Sequence, residues 1–238
     1  FVLSLHTLLG SEQTARFPVG WIVRKSPLFS FSGNCATIEK RKTRGGEPML
    51  YAVRYQGQFA SRREEAAHQR ALSEQLLRWA LQEEFGLDLS QLERAKSPSG
   101  KPYFPQCPVH FNVSHTRGLV CCGLSMAPLG VDAETPRPYK EGLARRVCTQ
   151  EELNWLALQR DRQAAFLSLW TLKESVLKLS GRGLGYGLRN AAFTFRQGEP
   201  CFVDPQVRLS QFPGGEGRVI SAASRTERFT GVHWVEFA

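Results

Sequence analysis

The chain has 238 residues, 42% hydrophobic and 22% charged. These are ordinary globular proportions and exclude a disordered, collagen-like or low-complexity chain, and no apolar run approaches the ~20 residues of a membrane span. Lys and Arg number 31 against 22 acids, a net charge of +9, which favours a polyanionic partner without choosing among nucleic acid, phosphorylated ligand, acidic lipid and acidic protein.

In chain order, Phe1 to Leu5 are weakly apolar but carry no cationic lead and no small-residue cleavage site, so no secretion signal is read there. Trp21-Ile22-Val23 and Met49–Val53 read as short strands. The stretch between them, with Lys40, Arg41, Lys42 and Arg44, reads as a solvated loop. Ser61 offers an N-cap, and Arg62 to Phe85 has helical periodicity (Ala66, Leu72, Leu76, Leu77, Ala80, Leu81) up to a Gly86 stop. A shorter helix is expected over Leu89–Ala95, before the turn Ser97-Pro98-Ser99-Gly100. Phe111–Ser114 alternates like a strand. Leu119–Ser125 reads as a buried strand, and Val131–Glu134 follows a turn at Pro128-Leu129-Gly130. Helices are expected over Glu141–Cys148, over Thr149–Gln159 with the capping box Thr149-x-x-Glu152, and over Arg162–Ser180. A glycine-rich stretch, 181–187, leads to strands at Ala191–Phe195, Cys201–Val203, Arg218–Ala222 and Thr230–Phe237. The order strands, helix, strands, helices, strands predicts an α+β fold rather than alternating α/β. A break near residues 126–130 divides it into two comparable halves, 1–126 and 127–238. Cys35, Cys107, Cys121, Cys122, Cys148 and Cys201 form no CxxC pair. They give no zinc spacing and read as free thiols of a reducing cytosol.

Five short motifs can carry chemistry. Asp132-x-Glu134 puts two carboxylates on one strand face, where they repel unless a proton or cation sits between them. A hard cation such as Mg²⁺ suits such oxygens and leaves places for phosphate and water. Trp170, Glu174 and Lys178, spaced i, i+4, i+8, form one helical stripe. In a bland reading this is a surface ion pair beside a core tryptophan. In a functional one Glu174 joins the carboxylate pair and Lys178 reaches a phosphate. Ser114-His115 sits at a strand end, where both can donate to a phosphate, and no GxSxG elbow marks a hydrolase. Gly100-Lys101-Pro102 is a tight turn presenting a lysine, without the Walker spacing. Arg62, Arg63 and Arg70 open a helix, and Arg63 and Arg70 share a face suited to an anion. Taken singly, each motif has an ordinary structural explanation.

Together, GKPYF, FNVSHT, GVDAE and WTLKESVLK, in this order and spacing over roughly residues 60–195, resemble the 4′-phosphopantetheinyl transferases of the surfactin-synthetase-activating type. The resemblance implies two pseudo-symmetric α+β halves with coenzyme A in the cleft between them. It implies Mg²⁺-dependent transfer of the phosphopantetheine arm of coenzyme A to a serine of an apo acyl or peptidyl carrier protein, with release of 3′,5′-ADP. By the same resemblance Asp132, Glu134 and Glu174 are the Mg²⁺ ligands, and Glu174 is also the base toward the carrier serine. Lys178 neutralises the pyrophosphate, Ser114 and His115 hold coenzyme phosphates, and Gly100, Lys101 and Pro102 flank the adenine. Arg62, Arg63 and Arg70 are the candidates for the 3′-phosphate anchor, and Trp170 is packing. A cytoplasmic monomer is expected, with neither membrane nor nucleic acid as partner. The alternative, a basic nucleic-acid-binding protein, rests on net charge alone. It would need basic residues interleaved with exposed aromatics or a groove-reading helix, and neither is found in the sequence.

Overall fold

Residues 47–183 and 187–237 are described by a computed structural model. The expected strand at Trp21–Val23, the Lys40–Arg44 cluster and Cys35 lie outside the described residues. In chain order the elements are β1 (Met49–Arg54), α1 (Arg62–Phe85), β2 (Ala95–Lys96), β3 (Pro102–Tyr103), β4 (His110–Thr116), β5 (Leu119–Ser125) and β6 (Leu129–Glu134). There follow α2 (Glu141–Val147), α3 (Gln150–Ala157), α4 (Arg162–Ser180), β7 (Phe193–Arg196), β8 (Glu199–Phe202), β9 (Arg208–Gly215), β10 (Arg218–Ser224) and β11 (His233–Trp234). The fold is α+β. One sheet has strand order β11-β1-β5-β4 and the other β6-β10-β9; β2-β3 and β7-β8 are separate ribbons.

Strand alternation builds the layers. On β1 and β5, Tyr51, Val53, Val120, Cys122 and Leu124 pack with Leu72, Leu76, Leu77, Ala80 and Leu81 of α1. The alternate residues Leu50, Ala52, Leu119 and Cys121 pack with Leu129, Val131 and Ala133 of β6 and with Ile220 and Ala222 of β10. Behind the second sheet, Leu169, Leu172, Val176 and Leu177 of α4 form a third cluster with Ala223 and Phe193. The two larger sheets are thus packed face to face, each backed by one long helix. The first sheet is covered on both sides, which explains why Leu119–Ser125 is buried along its whole length.

Two glycines permit the close spacing. A Cβ on Gly123 would stand 2.5 Å from Leu129 Cδ1 and 2.6 Å from Val131 Cγ2, across the contact between the sheets. A Cβ on Gly130 would stand 2.0 Å from the Ser175 carbonyl oxygen and 2.3 Å from the Leu179 nitrogen, so α4 lies directly on β6 there.

The caps follow the sequence. Ser61 accepts from Glu64 N–H, and Gly86 ends α1 in the left-handed region at φ 65°. Thr149 and Glu152 form the capping box of α3. Asp161 accepts from Ala164 N–H at the start of α4.

Three expectations change. Only Leu89–Gln91 is helical, as one 3₁₀ turn capped by Asp88, while Ala95 and Lys96 pair with Tyr103 and Pro102. So short a segment cannot offset helix nucleation once hairpin pairing competes. The eight residues of β9, Arg208–Gly215, form a strand beyond those expected, although it contains Pro213-Gly214-Gly215. They form the outer strand of their sheet, with the irregularity at Arg218/Val219 beside the proline, where a missing N–H is tolerated. The final strand shortens to His233–Trp234 and pairs parallel with β1. The chain end therefore joins the sheet of the first half.

Candidate active site

The site forms along the edge of β6 that faces β4. The other edge of β6 is bonded to β10, with Asp132 opposite Ser221. Main-chain groups on the free edge need partners once buried, and side chains supply them. Asn112 Oδ1 accepts from Val131 N–H at 2.7 Å, Ser114 Oγ from Ala133 N–H at 3.2 Å, and Thr116 Oγ1 from Thr135 N–H at 3.1 Å. These residues alternate along β4 and are all buried. Their opposite-facing neighbours Phe111 and Val113 pack with the α1 cluster. Side chains on one face of β4 thus stand in for a ladder between the two larger sheets.

The β6 carbonyls on this edge take two lysines. Lys178 Nζ donates to the Val131 carbonyl at 3.0 Å, to Ser114 Oγ at 3.0 Å and to Asp132 Oδ1 at 2.7 Å. Lys101 Nζ donates to the Leu129 carbonyl at 2.7 Å and to the Lys178 carbonyl at 2.6 Å. Ser114 Oγ also donates to Asp132 Oδ1 at 3.0 Å. Asp132 Oδ2 is buried without a hydrogen-bond partner.

Glu134 and Glu174 are half-buried beside Asp132. Burial, then repulsion from Asp132, lifts Glu134 above the usual carboxylate range against the pull of Arg137, whose guanidinium lies 3.0 Å from Glu134 Oε2. The Glu174 carboxyl is pushed up to about 6, first by burial, then by Asp132 and Glu134, with Lys178 opposing. The three carboxylates therefore share one electrostatic environment. Among the described residues, no three acidic, histidine or cysteine side chains are gathered closely enough to ligate a metal ion as they stand.

The other expected residues fall into two groups. His115 is the next-to-last residue of β4, near the site. Although its side chain is exposed, desolvation by the surrounding protein, then the positive charges of Lys178 and Arg70, push its imidazolium below the usual histidine range. Arg70, on α1, is thereby near His115, while Arg62 and Arg63 are exposed in the first turn of the same helix, about two turns away. The Gly100-Lys101-Pro102 turn abuts the end of α4. Ser99 Oγ donates to the Gly181 carbonyl, and the Lys101 ammonium bonds main chain of both site-bearing elements. Trp170 is partly buried in the third cluster.

Sequence reasoning missed Asn112 and Thr116, although Asn-x-Ser-x-Thr on a strand period marks a polar face. It also missed a buried pair behind the site. Lys173 and Glu152 side chains are both 0% exposed, with Nζ to Oε1 at 2.7 Å. Lys173 also donates to the Leu188 and Ala191 carbonyls at 3.1 and 2.7 Å. Glu152 accepts from Phe193 N–H at 2.8 Å and from Thr149 N–H at 2.7 Å. Burial pulls Lys173 below the usual lysine range, and Glu152 opposes that shift. A lysine placed among Leu172, Val176 and Leu177 was the available signal.

The β6 edge thus gathers carboxylates, one with an unpartnered buried oxygen, beside a lysine, with a histidine near the strand end. Comparison with known proteins agrees in class. The family model described as the 4′-phosphopantetheinyl transferase superfamily matches residues 128–221, which span β6 to β10. A 4′-phosphopantetheinyl transferase of Bacillus subtilis is 30% identical over 153 residues, 58% of this chain and 68% of the relative. The 4′-phosphopantetheinyl transferase Sfp of Bacillus subtilis strain 168 is 33% identical over 165 residues, 61% of this chain and 74% of the relative. The crystal structure of Thermotoga maritima holo-acyl-carrier-protein synthase aligns with TM-score 0.37 and 19% identity, over 43% of this chain and 64% of that one. The chain belongs to the 4′-phosphopantetheinyl transferase family.

Proposed function

We propose that this protein transfers the 4′-phosphopantetheine arm of coenzyme A to a serine of an apo acyl or peptidyl carrier protein, releasing 3′,5′-ADP. The observation that supports this best is the meeting of Asp132, Glu134, Glu174 and Lys178 at the β6 edge, in a chain of this family.

Asp132, Glu134 and Glu174 would hold Mg²⁺. The fit is supported by the unpartnered buried oxygen of Asp132 and by the mutual repulsion of the acids. An anionic oxygen buried without a partner is costly, and hard cations favour carboxylates. When bound, the ion supplies charge neutralisation at the pyrophosphate of coenzyme A.

The chain's own residues do the rest. Glu174, whose carboxyl lies beside Asp132 and Lys178, would accept the proton of the carrier serine. The serine oxygen forms a bond to the phosphorus bearing the pantetheine arm, and the bond from that phosphorus to the departing 3′,5′-ADP breaks. Lys178 offers positive charge to the leaving oxygen, and Ser114, held between Lys178 and Asp132, keeps that lysine in register. His115 and Arg70 provide the positive side of the coenzyme phosphate site, with Arg62 and Arg63 further along α1. Gly100 and Pro102 border the adenine. Phosphoryl-type transfer depends on positioning and charge more than on covalent chemistry from the protein.

The division at residues 126/127 places the Mg²⁺ residues in the C-terminal half. A monomer in the cytoplasm is part of the proposal, and the free thiols Cys107, Cys121, Cys122, Cys148 and Cys201 suit a reducing compartment. Among the described residues no helix is long and apolar enough to cross a membrane. The test is to incubate the protein with coenzyme A, Mg²⁺ and a panel of apo carrier proteins, reading carrier mass and 3′,5′-ADP release. Modification of at least one carrier serine is expected, and Glu174→Gln should abolish it at every Mg²⁺ concentration. Salt-sensitive nucleic-acid binding with no carrier modified would overturn the proposal.

A further inference from the structure

Lys101 is the one site lysine whose ammonium spans the two elements that carry the chemistry. It holds the Leu129 carbonyl at the start of β6, three residues before Asp132, and the Lys178 carbonyl in the last turn of α4. The last carbonyls of a helix lack intrahelical partners, and a cation there also meets the negative end of the helix dipole. Beside it, Ser180 Oγ and Gly181 N–H serve the Leu177 carbonyl, and Ser99 serves that of Gly181. The turn presenting Lys101 is itself closed. Gly100 N–H donates to the Ser97 carbonyl at 2.8 Å, Ser97 N–H to the Lys101 carbonyl at 2.9 Å, and Lys101 N–H to Ser97 Oγ at 3.1 Å.

We propose that Lys101 is a positioning residue: its ammonium clamps the end of α4 to the start of β6 and so sets the distance from Lys178 and Glu174 to Asp132 and Glu134. Lys178 hangs from the clamp by its own carbonyl and reaches Asp132 with its own ammonium. Loss of the clamp therefore shifts the lysine relative to the carboxylate through a single residue. Direct service to coenzyme A would require Lys101 to abandon two short bonds in a half-buried place. Burial already pushes its ammonium down to about 8, which leaves it mostly charged at neutral pH and makes the carbonyls its natural partners. Gly130, where α4 rests on β6 without room for a Cβ, is the second point fixing the same spacing.

The proposal rests on the transferase reading, and its test separates the two. Lys101→Met removes the ammonium and keeps the stem; Lys101→Gln keeps a shorter neutral donor and serves if the first variant fails to fold. Three measurements are compared with the unaltered protein: transfer kinetics with an apo carrier, equilibrium binding of coenzyme A, and hydrogen exchange across residues 172–183. A positioning role predicts kcat reduced about tenfold or more, with KM and Kd for coenzyme A changed less than about threefold. It also predicts amide exchange roughly tenfold faster in the last two turns of α4, with α1 unchanged. A rise in KM and Kd with kcat and exchange unaltered would make Lys101 a coenzyme ligand and overturn the proposal. Unchanged kcat, KM and exchange with only a lower Tm would reduce it to ordinary stability and overturn it equally. If the unaltered protein transfers nothing, the transferase reading fails, and the exchange arm still decides whether Lys101 holds α4.

Discussion

Lys173→Met leaves the Glu152 carboxylate with no cation at a position of 0% exposure. The Leu188 and Ala191 carbonyls lose their donor at the same stroke. Two main-chain N–H groups, from Phe193 and Thr149, remain to hold the charge. Removing one partner of a buried ion pair costs about 3–5 kcal/mol. That is a large share of the roughly 5–15 kcal/mol that holds a domain folded, so the variant should be foldable but weak. At about 2–4 °C per kcal/mol for a chain of this size, Tm should fall by roughly 6–20 °C. Urea unfolding followed by circular dichroism measures the loss as a lower midpoint at unchanged slope. Lys173→Met combined with Glu152→Gln keeps an acceptor for the main chain and discharges the acid. It should recover at least about 1 kcal/mol of the single-variant loss, the signature of coupled groups. A single-variant cost below about 1 kcal/mol, typical of exposed pairs, would refute the reasoning, as would a double variant no more stable than Lys173→Met.

Gly130→Ala places a methyl 2.0 Å from the Ser175 carbonyl oxygen. We expect destabilisation of about 1–3 kcal/mol and a loss of transfer larger than that from alanine at the more open Gly142, with urea midpoints and initial rates as the readouts. The raised Glu174 carboxyl sets a sign for pH. Between 4.5 and about 6 the native state holds a proton that the unfolded chain has released, so its contribution lowers stability as pH rises through that window. Urea midpoints at several pH values, measured without added metal, should show this slope diminished in Glu174→Gln. His115→Ala should raise KM for coenzyme A more than it lowers kcat; steady-state kinetics with a fixed carrier concentration decide, and a pure kcat defect would contradict the phosphate-binding role.

The α1 and α4 boundaries, the capping box at Thr149 and the buried strand Leu119–Ser125 were legible because each is written in residues a few positions apart: a cap, a 3.6-residue period, an apolar run. The α+β class followed from their order. The carboxylates and lysine of the candidate site were legible as motifs whose order resembles one family. The helix expected over Leu89–Ala95 and the unexpected strand β9 both reflect pairing partners outside the segment, which local preference does not register.

What lay beyond the sequence was the division of labour among the lysines. Lys101 reads in the sequence as the lysine of a tight turn flanking the adenine, and its ammonium bonds carbonyls of Leu129 and Lys178, 28 and 77 residues away. Lys173 carries no sequence expectation of its own, and it is buried against Glu152. Ser114 read as a phosphate donor, and the fold gives it Asp132 and the Ala133 N–H as partners. Local sequence determines which residues can form helix, strand or turn, because those choices depend on nearest neighbours. Which charged group meets which main-chain edge depends on how two sheets and two helices stack, and tertiary packing alone brings those positions within hydrogen-bond reach.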